Sequence, residues 1–451
     1  MKSVAFHNLG CKVNGYEMDY MQQNLQQRGY NLVPFDTKAD IYVINTCSVT
    51  NMADRKSRQM IHRARKMNPD AIVVAVGCYV QTSTEEVLKD LNIDIAIGNN
   101  RKKDLLPIIE EYMRRKEQEG EAFGEEERRA FSRKNIIDIN HSNEYEDMQL
   151  SHTAEHTRAF LKVQDGCNQF CSYCIIPYAR GRIRYRPIEE VQKEVSRLAD
   201  SGYQEVVLTG IHLSSYGMEK GNDFSQSRLG ELIRAVNEVE GIQRIRLGSL
   251  EPRIITEKFA KELSQCEKLC PHFHLSLQSG SDSVLARMNR KYTTGEYAEK
   301  VQLLRETFDQ PAMTTDVIVG FPQETEEEFA QTEEFLRKIR FYETHIFKYS
   351  KRKGTPAAEM TGQIPESVKG ERSDRLLELH AQNSHDFRES YIGKTVEYLL
   401  EEELVVDGIR YQTGYTREYI RVALETPENR SGCIQRGVIQ NFLKPDILLI
   451  R

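Results

Sequence analysis

The 451-residue chain is 39% hydrophobic and 29% charged, usage that fits a folded protein of two or three domains and excludes dominant disorder. No run of about eighteen apolar residues occurs, and the amino terminus, Met1-Lys2-Ser3-Val4-Ala5-Phe6-His7, is interrupted too early for a secretory apolar region, so a cytoplasmic protein without a membrane span is expected. A net charge of −6 offers no global attraction to nucleic acid, and nine cysteines without secretion argue for metal or redox chemistry over a disulfide framework.

From the amino terminus, short apolar segments alternate with helical patterns. Val4 to Leu9, Ile41 to Asn45, Ile72 to Val76 and Ile93 to Ile97 read as buried strands. Between them, Met18, Met21 and Leu25 share a helix face, and the stretches from Met52 to Met67 and from Glu85 to Leu91 follow the helical period. This alternation predicts a parallel α/β domain over residues 1–115. Each of the first three strands is followed by a cysteine: Cys11, Cys47 and Cys78. In parallel sheets the ligand crevice lies beyond the carboxyl ends of the strands, so the three thiols can converge there as a three-cysteine metal site. Three buried cysteines with no ligand are the bland alternative.

Residues 116–150 carry runs such as Glu125-Glu126-Glu127-Arg128-Arg129 without apolar periodicity and read as an exposed charged linker or solvated helix. Across 151–385 the strand and helix pattern resumes. Candidate strands are Ala159 to Val163, Glu205 to Thr209, Arg244 to Gly248, His272 to Gln278, Thr314 to Val319 and Thr344 to Tyr349, which suit a partial (β/α)6 barrel.

Just after the first of these strands comes Cys167-Asn168-Gln169-Phe170-Cys171-Ser172-Tyr173-Cys174, a C-x3-C-x2-C spacing. Three thiolates on one loop suit a four-iron cluster with one iron left open for a small molecule. The alternative, a zinc knuckle completed by a distant ligand such as His212, rests on a spacing that seldom serves zinc. The Gly210, His212, Ser279 and Gly320 loops lie at the same barrel edge and are candidates for completing a cofactor site. Cys266, Cys270 and Cys433 read as structural.

From 386 to 451 the texture becomes short alternating segments, including Thr395 to Leu400, Leu404 to Val406, Ile409 to Tyr411 and Tyr419 to Leu424, with Asp407-Gly408 as a hairpin turn. A small all-β barrel is expected. Two local basic features stand out. Arg55, Lys56, Arg58, His62, Arg63, Arg65 and Lys66 crowd the helical stretch after Cys47, and Arg180, Arg182, Arg184 and Arg186 alternate so that an extended strand would put all four on one face. Positive surfaces beside both cysteine sets suit a phosphate-rich substrate; solvated faces are the alternative.

Taken together, these residues resemble the radical-SAM methylthiotransferases. Leu9-Gly10-Cys11-Lys12-Val13-Asn14, Asn45-Thr46-Cys47, Val76-Gly77-Cys78, residues 166–182, 274–281, Met288-Asn289-Arg290-Lys291-Tyr292-Thr293 and 315–322 all look like motifs of that family, and the last 65 or so residues look like its TRAM domain. One departure is Gln323, where the pattern has glycine.

The resemblance implies two 4Fe-4S clusters and S-adenosyl-L-methionine as cofactors. Cys167, Cys171 and Cys174 would hold the cluster that cleaves S-adenosylmethionine, and Cys11, Cys47 and Cys78 an auxiliary cluster that carries the inserted sulfur. Gly10 to Asn14 and Ala179 to Arg182 look most like the branch acting on N6-threonylcarbamoyladenosine at tRNA position 37. Partners implied are tRNA, an unidentified electron donor and a sulfur source. Arg182 and Arg184 are candidates for binding the threonyl carboxylate, because guanidinium groups pair with carboxylates bidentately. Two other functions stay open at this point: methylthiolation of an aspartate in a small-subunit ribosomal protein, and RNA binding with structural or redox-sensing clusters.

Overall fold

The structure, a computed structural model, describes residues 1–150, 157–219 and 223–451. The amino-terminal region runs β1 (Ser3–Asn8), α1 (Lys12–Gln27), β2 (Asn31–Val33), β3 (Ile41–Thr46), α2 (Asn51–Met67), β4 (Ile72–Gly77), α3 (Cys78–Thr82), α4 (Thr84–Lys89), β5 (Ile95–Ile97), α5 (Leu105–Glu119) and α6 (Glu125–Lys134). The five strands form one parallel sheet in the order β2-β1-β3-β4-β5. Every residue of β3 and β4 is buried, as befits central strands covered by helices on both faces.

The segment read as an exposed charged linker or solvated helix holds the helix α6 and is anchored to this region. Phe131 of α6 joins the apolar cluster on one face of the sheet, the Ser132 hydroxyl accepts the Ala96 amide at 3.1 Å, and Gly98 donates to the Asn135 carbonyl. Further on, Glu146, Met148 and Leu150 are buried. The pattern is hard to read because so few apolar residues, widely spaced, anchor a charged stretch.

The central region contains β6 (Arg158–Asp165), α7 (Ile176–Arg180), β7 (Arg184–Tyr185), α8 (Ile188–Asp200), β8 (Glu205–Gly210), α9 (Leu229–Asn237), β9 (Arg244–Leu247), α10 (Glu257–Ser264), β10 (His272–His274), α11 (Asp282–Arg287), α12 (Thr294–Thr307), β11 (Ala312–Val319), α13 (Glu326–Ile339), β12 (Glu343–Lys348), α14 (Pro356–Glu359) and α15 (Glu366–Glu389). β6, β8 and β9 pair in parallel, as do β10, β11 and β12, and the Ile245–Leu269 and Leu250–Leu275 bridges join the two sheets. The result is the expected six-stranded half-barrel. β10 is shorter than its sequence suggests, since the chain past His274 makes single bridges only and Gln278 turns to a left-handed φ of 74°.

Alternation along these strands sorts their chemistry. Leu161, Val163, Val206, Leu208, Ile245, Phe273 and Val317 pack outward against the helices in one core. The opposite parity, with Arg158, Lys162, Glu205, Arg246, His274 and Asp316, gives the half-barrel a polar lumen.

The carboxyl-terminal strands are β13 (Thr395–Val406), β14 (Ile409–Thr416), β15 (Arg421–Glu425), β16 (Ile434–Lys444) and β17 (Ile447–Ile450), closed into a barrel in the order β13-β14-β15-β17-β16. The two segments read as separate strands before Asp407 are one strand with an irregularity between Leu400 and Glu402. Asp407 and Gly408 both have positive φ, as a tight hairpin turn requires. This barrel is docked on the floor of the lumen. Arg158 pairs with Glu401 at 2.5 Å and Arg244 with Glu397 at 3.0 Å, and Arg246 donates to the carbonyls of Thr416 and Arg417.

Candidate metal centres and the lumen between them

Cys11, Cys47 and Cys78 stand at the carboxyl ends of β1, β3 and β4, three adjacent strands. Cys11 caps α1 and Cys78 opens α3, so parallel pairing alone gathers them at one sheet edge. Gly77 makes the turn with φ of 100°, and a Cβ there would meet the Asn45 side chain at 2.8 Å. Burial first, then the neighbouring thiols of Cys78 and Cys11, push the Cys47 thiol up to about 11 against a hydrogen bond from the Val49 backbone. Asn99 donates to the Cys78 sulfur at 3.5 Å and to the Ala179 carbonyl at 2.7 Å, linking this site to the half-barrel.

Cys167, Cys171 and Cys174 lie on the loop after β6, at the carboxyl mouth of the half-barrel. A Cβ on Gly166 would stand 1.8 Å from the Arg182 carbonyl oxygen, and Cys167 donates to the Gly181 carbonyl, so the loop is clamped against the strand returning beneath it. Ser172 donates to the Arg287 carbonyl and Asn289 to that of Phe170, fixing the far side. Two donors face the sulfurs: the Gln169 amide at 3.5 Å from Cys167 and the Arg290 guanidinium at 3.4 Å from Cys171. Burial, reinforced by Cys171, pushes the Cys174 thiol up to about 12.

A lone zinc ion, with bonds of roughly 2.0–2.3 Å, needs donors gathered within a few ångströms of one another. Among the described residues the one such group of His, Cys, Asp and Glu donors is His274, Asp316 and His345, within 4.8 Å, and it contains no cysteine. Each triad is therefore the more open donor set, suited to a larger group than a single ion. His212 does not complete either one: its Nδ1 meets Ser215 Oγ at 2.5 Å and its Nε2 faces Glu251 at 3.9 Å.

Beneath the second triad, Arg290 and Tyr292 stood in the sequence only as part of a family motif with no role assigned, and Glu251 and Arg253 were not singled out. Arg290 donates to Glu251 at 3.0 Å and to the Ser276 carbonyl, and its Nε to the Tyr292 hydroxyl. Glu251 also accepts from Arg253 at 2.9 Å. Burial alone would raise its carboxyl, yet Arg290, with His212 and Arg253, holds it at about 2. Its place just beyond β9, at the carboxyl edge of the half-barrel, was the available signal.

Other candidates land differently. Gly210 packs against Gln164, whose amide oxygen also accepts the His212 amide at 2.7 Å. Ser279 is buried against Thr332 of α13, and the Gly320 amide is taken by Glu324 at 2.7 Å with Lys369 filling the space where a Cβ would go. Gln323 adopts φ of 66° and donates to the Gly362 carbonyl, so the turn forms without glycine.

The four alternating arginines do not form an exposed patch. Arg180 ends a helix and binds Glu17 at 2.5 Å and Asp165 at 3.4 Å; Arg184 is buried beside Asp165 and donates to the Arg180 carbonyl; Arg186 binds Glu194 at 2.6 Å. Arg184 is thus unavailable to a substrate carboxylate. Arg182 is exposed and lies over the Phe170 ring at 4.7 Å. On α2, by contrast, Arg55, Lys56, Arg63 and Lys66 face solvent, while Arg65 is committed to Asp94 and nearby carbonyls.

The radical SAM superfamily model matches residues 161–336, and that of the uncharacterized protein family UPF0004 matches residues 3–98. The threonylcarbamoyladenosine tRNA methylthiotransferase MtaB of Bacillus subtilis (strain 168) is 41% identical over 435 residues, covering 96% of this chain and 93% of that protein. The protein of the same name from Aquifex aeolicus (strain VF5) is 44% identical over 403 residues, 89% of this chain and 93% of its own. A tRNA-2-methylthio-N(6)-dimethylallyladenosine synthase of Clostridium tetani (strain Massachusetts / E88) is 35% identical over 402 residues, 87% of this chain and 84% of its own. Among solved structures, the radical S-adenosylmethionine methyltransferase TsrM of Kitasatospora setae aligns with a TM-score of 0.52 at 15% identity over 79% of this chain and 74% of that one, a likeness of fold alone.

Proposed function

The chain belongs to the radical-SAM methylthiotransferase family, and we propose that it acts on tRNA, converting N6-threonylcarbamoyladenosine at position 37 to its 2-methylthio derivative. The observation that carries this reading is likeness over almost the whole length of both chains to enzymes named for that substrate, combined with two cysteine triads, one at the carboxyl ends of the amino-terminal sheet and one after β6 at the mouth of the half-barrel.

In this reading Cys11, Cys47 and Cys78 hold an auxiliary 4Fe-4S cluster and Cys167, Cys171 and Cys174 the cluster that binds S-adenosylmethionine. When bound, these groups supply the sulfur and methyl to be inserted and the radical that opens an unactivated carbon–hydrogen bond. The protein supplies placement. Arg290 and the Gln169 amide complement negative charge on the second triad's sulfurs, Glu251 fixes Arg290, and Asn99 does for Cys78 what Gln169 does for Cys167. The docked carboxyl-terminal barrel closes the lumen from below, so that water is kept from the reacting carbon. The exposed cations of α2, the helix that follows Cys47, are available to meet tRNA phosphates.

An electron donor and a sulfur source complete the cycle as separate partners. No helix among the described residues is long and apolar enough to cross a membrane, and a cytoplasmic setting agrees with a tRNA substrate.

The test is mass spectrometry of tRNA nucleosides from cells with and without the gene. Loss of 2-methylthio-N6-threonylcarbamoyladenosine with accumulation of its unthiolated precursor is expected. An unchanged level of that nucleoside, or loss of the 2-methylthio dimethylallyl nucleoside in its place, would overturn the substrate assignment.

A further inference from the structure

Lys12, next to Cys11 at the first position of α1, is a lumen cation that no carboxylate among the described residues approaches within ion-pair distance. Its ammonium lies 6.0 Å from the centre of the Phe160 ring, on the lumen-facing parity of β6. Arg158, Arg246 and His272 stand close enough to act on it or be acted on by it.

Glu205 is a carboxylate of that company, and it is already taken by Arg246 at 2.9 Å and Arg244 at 3.4 Å. Arg158 in turn is taken by Glu401. Every other cation of this neighbourhood thus has its own acceptor. The lysine also begins a helix, where the macrodipole disfavours positive charge, and α1 has no acidic residue in its first turn to compensate. Lys12, exposed and beside the Cys11 thiol, is thus the cation here without a carboxylate of its own among the described residues, an arrangement whose electrostatic cost falls when an anion arrives.

We propose that Lys12 is an anion subsite of the lumen that binds the carboxylate of the substrate's threonylcarbamoyl group, and so selects that substituent over an uncharged one. This rests on the tRNA substrate proposed above. Of the two arginines first considered for that carboxylate, Arg184 is buried in other ion pairs and Arg182 is exposed over the Phe170 ring on the second triad's loop. The aromatic face of Phe160 beside the ammonium offers the aliphatic part of the same substituent an apolar contact.

The test is binding of anticodon stem-loop RNAs to the cluster-reconstituted protein, followed by fluorescence anisotropy. The RNAs carry adenosine, N6-threonylcarbamoyladenosine or its methyl ester at position 37. Wild-type protein should favour the free carboxylate over both neutral versions by roughly tenfold or more, the scale of one charge-assisted hydrogen bond. Lys12→Gln should abolish that preference while leaving affinity for the adenosine loop unchanged, and Lys12→Arg should restore part of it. Iron content of each variant shows whether the neighbouring Cys11 site is intact; the methyl ester arm needs no variant.

If Lys12→Gln keeps the preference, or if the wild type binds ester and acid alike, the inference falls. If Lys12→Gln weakens all three RNAs equally, the lysine meets a phosphate and the inference falls as well. If wild-type protein does not convert the threonylcarbamoyl RNA at all, the failure belongs to the proposed function itself.

Discussion

Glu251 lies 2% exposed by side chain between Arg290, Arg253 and His212, and Arg290 bridges it to the sulfur of Cys171. Its folded-state carboxyl, at about 2, lies below the ordinary glutamate value of 4.5, so the ionised form stabilises the fold. That contribution is complete above pH of about 4.5 and is lost as pH falls toward 2, and the shift corresponds to about 3 kcal/mol. Glu251→Gln should lower stability at pH 7 and flatten the acid limb of the denaturation curve in this window; an unchanged limb would show that Arg290 does not depend on Glu251. At this scale the sequence was legible where a residue's role follows from its place in the repeat. All six cysteines proposed as cluster ligands are placed by strand ends or by one short loop. The alternating arginines were misread because alternation reports a shared face and says nothing of what covers it. Here Glu17, Asp165 and Glu194, distant in sequence, turn a presumed nucleic-acid surface into buried ion pairs. Ser279 and Gly320 sit on the expected loops, yet their polar groups are spent on Thr332 and Glu324.

Among the elements, α2 is the one whose charge remains open to a partner. Its inward face, Ser57, Ile61 and Ala64, is buried against the sheet, and the Thr50 side chain caps its first turn by accepting the Ala53 amide. Arg55, Lys56, Arg63 and Lys66 face solvent along the helix that follows Cys47, so replacing all four with glutamine should weaken tRNA binding. The slope of log affinity against log salt should fall by roughly 0.7–0.9 for each phosphate contact removed, measured by filter binding across a potassium chloride series. Thermal stability should hardly change, because these side chains make no ion pairs among the described residues. If affinity and slope stay at the wild-type values, tRNA is held elsewhere. Most strands of the two α/β regions were legible because each carries a strong period bounded by turn residues; the three-residue β2 and two-residue β7 are too short to show one. β16 and β17 were not picked out: β16 is mostly half-exposed, with little apolar alternation, and β17 is four residues long. A solvated helix was one reading of the segment that holds α6; its docking was not legible, because a single phenylalanine and a serine hydroxyl anchor it to β5.

Over the whole molecule, three regions meet around one lumen, and buried charge sets how they meet. Glu17 of α1 receives Lys102 from its own region and Lys162 and Arg180 from the half-barrel, while Asp165 takes Lys162 at 2.7 Å. Burial would raise the Glu17 carboxyl, but these three cations drive it well below the usual range. Removing one member of such a set leaves the others buried and unpaired, so the angle between the two α/β regions is tightly specified. That angle turns the strand ends of the five-stranded sheet toward the mouth of the half-barrel, and the carboxyl-terminal barrel seals the opposite end through Arg158, Arg244 and Arg246. Domain order could be read from the sequence; the mutual orientation could not, since it depends on single charged residues with no periodic signature. The division of labour between the two triads is tested most directly on anaerobically reconstituted protein supplied with reductant, S-adenosylmethionine and threonylcarbamoylated tRNA. Iron, 5′-deoxyadenosine and methylthiolated nucleoside are measured together. Wild type should hold roughly eight iron atoms, as two four-iron clusters require, and make both products. Replacing Cys11, Cys47 and Cys78 with alanine should halve the iron and abolish the methylthiolated nucleoside while 5′-deoxyadenosine still forms; replacing Cys167, Cys171 and Cys174 should halve the iron and abolish both. Full iron content or continued methylthiolation in either triple variant would contradict the account.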